Sequence, residues 1–242
     1  MKAMIFAAGL GTRLKPLTLS KPKALAEING ITLLEITIKK LINSGFDDII
    51  INIHHFPEQI IKFLEKNKNF EAKITFSDEQ DLLLDTGGGL KKAAYFFNDN
   101  KPFLVHNVDI VSDINLKELL NIHLKNNCLA TLACMKRESS RQFLMNRGNE
   151  LCGWRNNKTG ETIISKGNAS ELIPISFCGI HIINPEIFST IIESGVFSII
   201  DVYLRLAKDN KIKINEYSNI SWVDIGSPEK LKVAEAVLKT KT

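Results

Sequence analysis

A chain of 242 residues with 31 basic and 27 acidic side chains, net charge +4, is too evenly balanced for a nucleic-acid binder. Its 44% hydrophobic and 24% charged residues are ordinary for a globular protein, and no stretch reaches the ~20 apolar residues of a membrane span. The four cysteines, Cys128, Cys134, Cys152 and Cys178, form no C-x-x-C pair, which argues against a zinc cluster and for reduced thiols in the cytoplasm.

Lys2–Ala7 reads as a buried strand that stops at Gly9 and Gly11, its apolar run too short for a signal peptide. Thr32–Ser44 has helical spacing of apolar residues, closed by Gly45. Asp48–His54, with Ile49, Ile50, Ile51 and Ile53, suits a central strand, and a helix from about Pro57 to Lys66 follows. Next come a strand at Lys73–Ser77, a helix at about Leu90–Phe97 and a strand at Phe103–His106. Asn115–Asn126 is helical and Ala130–Met135 strand-like. Beyond these, Arg141–Arg147, Glu150–Trp154 and Thr162–Ser165 are short strands between Asn- and Gly-rich turns. Phe177–Ile183 is a further strand, then helices near Pro185–Ile192 and Ile199–Lys208, a strand at Trp222–Val223 and a helix from Pro228 to Leu238. The order implies an α/β fold, Rossmann-like, with a mostly parallel mixed sheet flanked by helices on both faces and a small β-rich insertion in the second half. Ligands of such sheets bind at the carboxyl ends of the strands.

One segment follows the first strand directly: Gly9-Leu10-Gly11-Thr12-Arg13, then Pro16-Leu17-Thr18 and Pro22-Lys23. Glycines there admit a phosphate chain to the backbone, whose N–H groups can cradle its oxygens. A dinucleotide-binding G-x-G-x-x-G needs glycine where Leu14 stands, and the Gly-Lys-Ser/Thr of a Walker loop is missing. Two cations on a proline-stiffened loop suit a polyphosphate whose charge grows during reaction.

Gly9 to Lys23 resembles the signature of the sugar-1-phosphate nucleotidyltransferases, and the likeness continues in order along nearly the whole chain. Leu84-Asp85-Thr86-Gly87-Gly88-Gly89 resembles their base-holding loop. Asn107-Val108-Asp109 resembles the element bearing a magnesium-binding aspartate, although Val108 stands where glycine is usual. Phe177-Cys178-Gly179-Ile180 resembles the strand lining the sugar, and Trp222-Val223-Asp224-Ile225-Gly226 the segment with the second metal-binding aspartate. Among short members the likeness is greatest to N-acetylmuramate-1-phosphate uridylyltransferases, with mannose- or heptose-1-phosphate guanylyltransferases second.

The resemblance implies one domain over residues 1–242, nucleotide-binding to about residue 135 and sugar-binding from about residue 136. It implies an NTP and a sugar 1-phosphate as substrates, Mg²⁺ as cofactor, no nucleic-acid or membrane partner, and a monomer or homodimer. Arg13 and Lys23 are the expected catalytic cations: Arg13 on the leaving β- and γ-phosphates, Lys23 on the α-phosphate and the attacking phosphate. Ala8, Gly9, Gly11, Thr12, Asp85, Gly87 and Gly88 would hold the nucleotide, Asn107, Gly179 and Asp201 the sugar, and Asp109 and Asp224 the metal. His54 reads more readily as a hydrogen-bonded structural residue than as a ligand contact, and Lys158 sits in too variable a turn to be assigned. A non-catalytic nucleotide-sugar-binding subunit is the other class to weigh. Against it, Arg13, Lys23, Asp109 and Asp224 are all present. A glycosyltransferase of similar fold would need a D-x-D motif, which Asn107-Val108-Asp109 lacks.

Overall fold

The computed structural model describes residues 1–239, so the last three positions of the expected 1–242 domain lie outside the described residues. The chain opens with β1 (Lys2–Phe6), a loop of three 3-10 turns, and the short strands β2 (Glu27–Ile28) and β3 (Ile31–Thr32). Then come α1 (Leu33–Asn43), β4 (Asp48–Ile53), α2 (Pro57–Lys66), β5 (Lys73–Asp78), α3 (Asp85–Lys92), β6 (Phe103–Asn107) and β7 (Ile110–Ser112). α4 (Leu116–Lys125) leads into β8 (Ala130–Met135), β9 (Arg141–Met145), β10 (Leu151–Asn156), β11 (Thr162–Ile164) and β12 (Ile173–Ile183). α5 (Ile187–Thr190), α6 (Ile199–Leu206), β13 (Ile212–Tyr217), β14 (Trp222–Asp224) and α7 (Pro228–Lys239) close it. The α/β class with a mixed sheet and helices, expected from the sequence, is the one observed.

By contact density the chain divides into two compact units, both discontinuous. The first takes residues 1–84, 105–115 and the chain from 220 on; the second takes 85–104 and 116–219. In the first unit β1 pairs parallel with β4, and β4 parallel with β5. Ala3, Met4, Ile5, Ile49, Ile50 and Ile51 are fully buried, as continuous apolar strands covered on both faces should be. α1 is started by Thr32, whose hydroxyl accepts from Glu35 N at 3.2 Å, and is followed by Gly45 at φ +84. β14 pairs antiparallel with β7, and α7 packs back on β14 and β2.

The second unit is mainly antiparallel. β9, β10 and β11 form a meander, β12 runs antiparallel to β9 and to β8, and β13 lies parallel to β8. Its core includes a stack of Phe97 on Phe103 (3.7 Å between centroids) and Phe103 on Phe188 (5.7 Å). Among the features that differ from the pattern read in the sequence are two in this unit. α3 begins at Asp85, because glycines that disfavour a helix in isolation fold into its first turns, where close packing favours them. β12 begins at Ile173, ahead of the expected Phe177, and carries Pro174 opposite Leu144 of β9.

Buried histidines make this fold acid-sensitive. Burial, with the nearby charge of Lys40, lowers the pKa of His106 from 6.5 to about 3, and burial also lowers that of His123. His106 stays neutral in the folded protein while the unfolded chain protonates, so stability present above the unfolded value is lost as pH falls from 6.5 toward about 3, and His123 acts in the same direction. The melting temperature should therefore drop across this window, each such group contributing at most about 1.4 kcal/mol per pH unit. His106→Gln should give a shallower slope in melting curves recorded across the window; an unchanged slope would remove His106 as a contributor.

Candidate active site

The loop after β1 is held from beneath by one side chain. Asn52, on β4, accepts from Ala7 N at 2.7 Å and Ala8 N at 3.3 Å through its Oδ1, and donates to Glu79 Oε1 at 2.7 Å. Glu79, 1% exposed, also accepts from Leu84 N at 3.0 Å. The start of the glycine loop and the approach to Asp85 are thus tied through two buried polar residues. His54 Nδ1 meets the Glu79 carbonyl at 2.7 Å, the structural arrangement expected for it.

Past Ala8 the chain makes a tight turn. Gly11 has φ +64, and its carbonyl accepts from Leu14 N at 2.9 Å and Thr18 Oγ1 at 2.8 Å. A Cβ there would stand 2.8 Å from Thr18 Cγ2, so both conformation and space call for glycine. Gly9 has open space around it, which leaves its backbone accessible. Thr12 and Arg13 belong to the first 3-10 turn, and Arg13 is exposed with its guanidinium against Gly226, where a methyl would come 2.9 Å from Nη1. Lys23, 8% exposed, forms an ion pair with Asp109 Oδ2.

The β7–β14 pairing sets Asp109 and Asp224 one step apart. Asp224 lies opposite Ile110, and Ile225 N donates to Asp109 O at 2.8 Å. Asp224 Oδ1 is buried with no hydrogen-bond partner among the described residues, and Oδ2 has only Lys230 Nζ at 3.8 Å. An orphaned buried carboxylate oxygen, on a strand paired one position from a second aspartate, fits a hard divalent cation. Among the described residues no three His, Cys, Asp or Glu side chains converge as a ready-made cage. Such an ion would therefore take its remaining ligands from water and substrate oxygens. Arg13, Lys23, Asp109 and Asp224 all belong to the first unit, as do Ala8, Gly9, Gly11, Thr12 and Asn107. Asn107 ends β6, half-buried, its carbonyl at 2.8 Å from His106 Nδ1.

The second unit holds Asp85, Gly87, Gly88, Gly179, Asp201 and Lys158. Asp85, at φ +59, accepts from Thr86 N at 2.6 Å. The amides of Gly87 and Gly88 donate to Phe197 O at 2.9 and 3.2 Å, so the expected backbone grip on a base meets N–H groups already bonded within the protein. A Cβ at Gly87 would lie 2.4 Å from the Phe197 ring and 2.9 Å from its carbonyl oxygen. Gly179, at φ +73, sits where the β12–β8 register shifts between Phe177 and His181. Asp201 is an exposed acid in the first turn of α6, a placement that favours the helix by itself. Lys158 is an exposed turn residue. Sequence reasoning passed over Asn52, whose signal was a lone amide inside an isoleucine run, and Glu79, which follows β5 with no pattern to mark it.

The sequence profile described as nucleotidyl transferase matches residues 2–241. The chain belongs to that family. It is 30% identical to an N-acetylmuramate alpha-1-phosphate uridylyltransferase of Caulobacter vibrioides, over 98% of this chain and 96% of that protein. It is 28% identical to the catalytic subunit beta of a mannose-1-phosphate guanylyltransferase of Dictyostelium discoideum, covering 95% of this chain but only 62% of that protein. In fold this nucleotidyl transferase is similar to a putative glucose-1-phosphate thymidylyltransferase of Bacillus anthracis, with TM-score 0.82 and 19% identity over 98% of this chain and 94% of that one.

Gly87 offers a clean test of the α3 packing. Helix propensity favours alanine over glycine by about 1 kcal/mol, whereas forcing a methyl into a filled space costs about 1–3 kcal/mol. Packing wins, so Gly87→Ala should lower the urea midpoint; an unchanged or raised midpoint would show that Phe197 yields freely.

Proposed function

We propose that this nucleotidyl transferase joins an NTP to a sugar 1-phosphate, releasing pyrophosphate and forming an NDP-sugar. The preferred pair is UTP with N-acetylmuramate 1-phosphate or a related hexose 1-phosphate. The observation that carries the reaction is the gathering of Arg13, Lys23, Asp109 and Asp224 in one unit around the turn at Gly11. The substrate preference leans on the full-length likeness to the Caulobacter uridylyltransferase. GTP with mannose 1-phosphate is the second reading, favoured by the guanylyltransferase relatives, of which the chain spans about 62%.

An acceptor phosphate oxygen attacks the α-phosphorus as the bond to the β-phosphate oxygen breaks, and pyrophosphate leaves with the electron pair. The nucleophile is already ionised, so the chain's task is positioning and charge compensation. Exposed Arg13, against the Gly226 backbone, faces the leaving phosphates. Buried Lys23, paired with Asp109, takes the reacting phosphates as its new anionic partners. Asp109 and Asp224 would hold Mg²⁺, which when bound neutralises phosphate-oxygen charge. Gly11 and Gly9 keep side chains away from the backbone that the triphosphate approaches.

The purified protein should release pyrophosphate from one NTP with one sugar 1-phosphate, only when Mg²⁺ is supplied. Absence of release across ATP, CTP, GTP, UTP and dTTP with a panel of sugar phosphates would sink the reading. Asp109→Asn should abolish turnover with the melting temperature preserved, and near-normal turnover would remove Asp109 from the site. Gly226→Ala meets only the flexible end of Arg13. It should therefore leave the fold intact while lowering kcat/KM, and wild-type kinetics would detach Arg13 from the leaving group.

A further inference from the structure

In the first unit Asn52 is the last residue of β4 in register with β1, opposite Phe6. The amides of Ala7 and Ala8 lie past that ladder, and Asn52 Oδ1 accepts from both, at 2.7 and 3.3 Å. A polar side chain 3% exposed among Ile49, Ile50, Ile51 and Ile53 is costly unless it is bonded. Bonded as it is, Asn52 fixes the backbone where the strand gives way to Gly9 and Gly11.

The polarity of this arrangement is determined at both ends by groups that cannot reverse. Backbone amides only donate, so Asn52 must turn Oδ1 to Ala7 and Ala8 and Nδ2 away from them. Nδ2 then needs an acceptor, which Glu79 Oε1 supplies at 2.7 Å. At the far end Leu84 N, again only a donor, meets Glu79 Oε2 at 3.0 Å. The side chain at position 79 must therefore accept through both of its end atoms, as a carboxylate does and an amide does not. The Glu79 backbone is anchored as well. Its N donates to Ile53 O at 2.8 Å, and its carbonyl accepts from Leu82 N at 3.1 Å and lies 2.7 Å from His54 Nδ1. The carboxylate is thus aimed from β4 and the turn at Leu82, and it acts on the phosphate loop through Asn52.

We propose that Glu79 is a positioning residue for the nucleotide: through Asn52 it sets the Ala7–Ala8 backbone that presents Gly9 to the triphosphate. What the pair requires is complementarity, one carboxylate and one amide shared between positions 52 and 79. The proposal rests on the NTP reading above and adds to it two residues that act through the loop. Asn52→Asp alone sets carboxylate against carboxylate. Glu79→Gln alone leaves one donor facing another, at Asn52 or at Leu84, whichever way its amide turns. Together the two substitutions reverse the pair. The carboxylate at 52 then accepts from Ala7, Ala8 and the amide at 79, whose oxygen accepts from Leu84 N. Every bond is regained with the net charge unchanged.

The test is steady-state kinetics of the wild type, Asn52→Asp, Glu79→Gln and the double variant, with UTP and N-acetylmuramate 1-phosphate or whichever pair the wild type prefers. Each single variant should raise KM for the NTP about 10- to 100-fold, the worth of a hydrogen bond to a charged group. KM for the sugar 1-phosphate should be unchanged, and the double variant should recover most of the loss. Equal rises in both KM values, no rise in either, or a double variant no better than the singles would each overturn the proposal. Should a single variant not fold, a folded double variant with near-wild-type KM for the NTP supports the pairing, and an unfolded one overturns it. Hydrogen exchange of the Ala7 and Ala8 amides, followed by NMR, separates the pair from the reaction. If the wild type turns over no sugar 1-phosphate, faster exchange in the singles that is restored in the double still supports the hold on the loop. Equal exchange in all four proteins overturns it.

Discussion

A ladder of three residue pairs, Ile110–Ser112 against Trp222–Asp224, is the constraint on which the first unit's site depends. It joins Asp109, early in the chain, to Asp224, near its end, and it carries Gly226 to the place where the Arg13 guanidinium lies. So short a ribbon has little stability of its own in water. Here it is supported from within: Ile110, Val111, Val223 and Ile225 are all buried, and α7 packs on β14. Burying one such side chain stabilises by about 1.5–3 kcal/mol, enough for a few of them to hold a pairing that its hydrogen bonds alone would not. Hydrophobic contact thereby fixes the position of charged groups that make no hydrophobic contact themselves.

The same unit shows how a polyphosphate site of the kind proposed would be kept in order by charges of both signs. Lys23 is nearly buried, and an unpaired ammonium there would be costly. Asp109 supplies the countercharge. Asn52 and Glu79 add a neutral-to-charged relay that satisfies the amides of Ala7, Ala8 and Leu84. These are the bonds that a buried loop next to a strand end must find. Nothing in this relay needs to move for a phosphate chain to approach the open side at Gly9.

Much of this was legible in the sequence, and the exceptions have physical causes. The isoleucine run of β4 and the proline-started α2 were plain, because β-branching and Pro at the first turn act locally. Motif order singled out Arg13, Lys23, Asp109 and Asp224, and all four fall in the first unit. The start of α3 was hidden because Gly87 and Gly88 owe their helical state to Phe197, a partner far along the chain. β7, β13 and the first residues of β12 were hidden for a like reason: each is short, alternating or proline-bearing, and its strand identity comes from a neighbour.

The interleaving of the two units has a consequence for synthesis on the ribosome. The glycine turn, Lys23 and Asp109 emerge early, yet β14 and Asp224 come only after the entire second unit has been made. A chain cut short between Ser112 and Trp222 carries the glycine turn, Lys23 and Asp109 in its sequence but lacks the strand that pairs with β7. The pairing that carries Asp224 next to the segment of Asp109 is thus open only to molecules whose translation ran past the whole second unit.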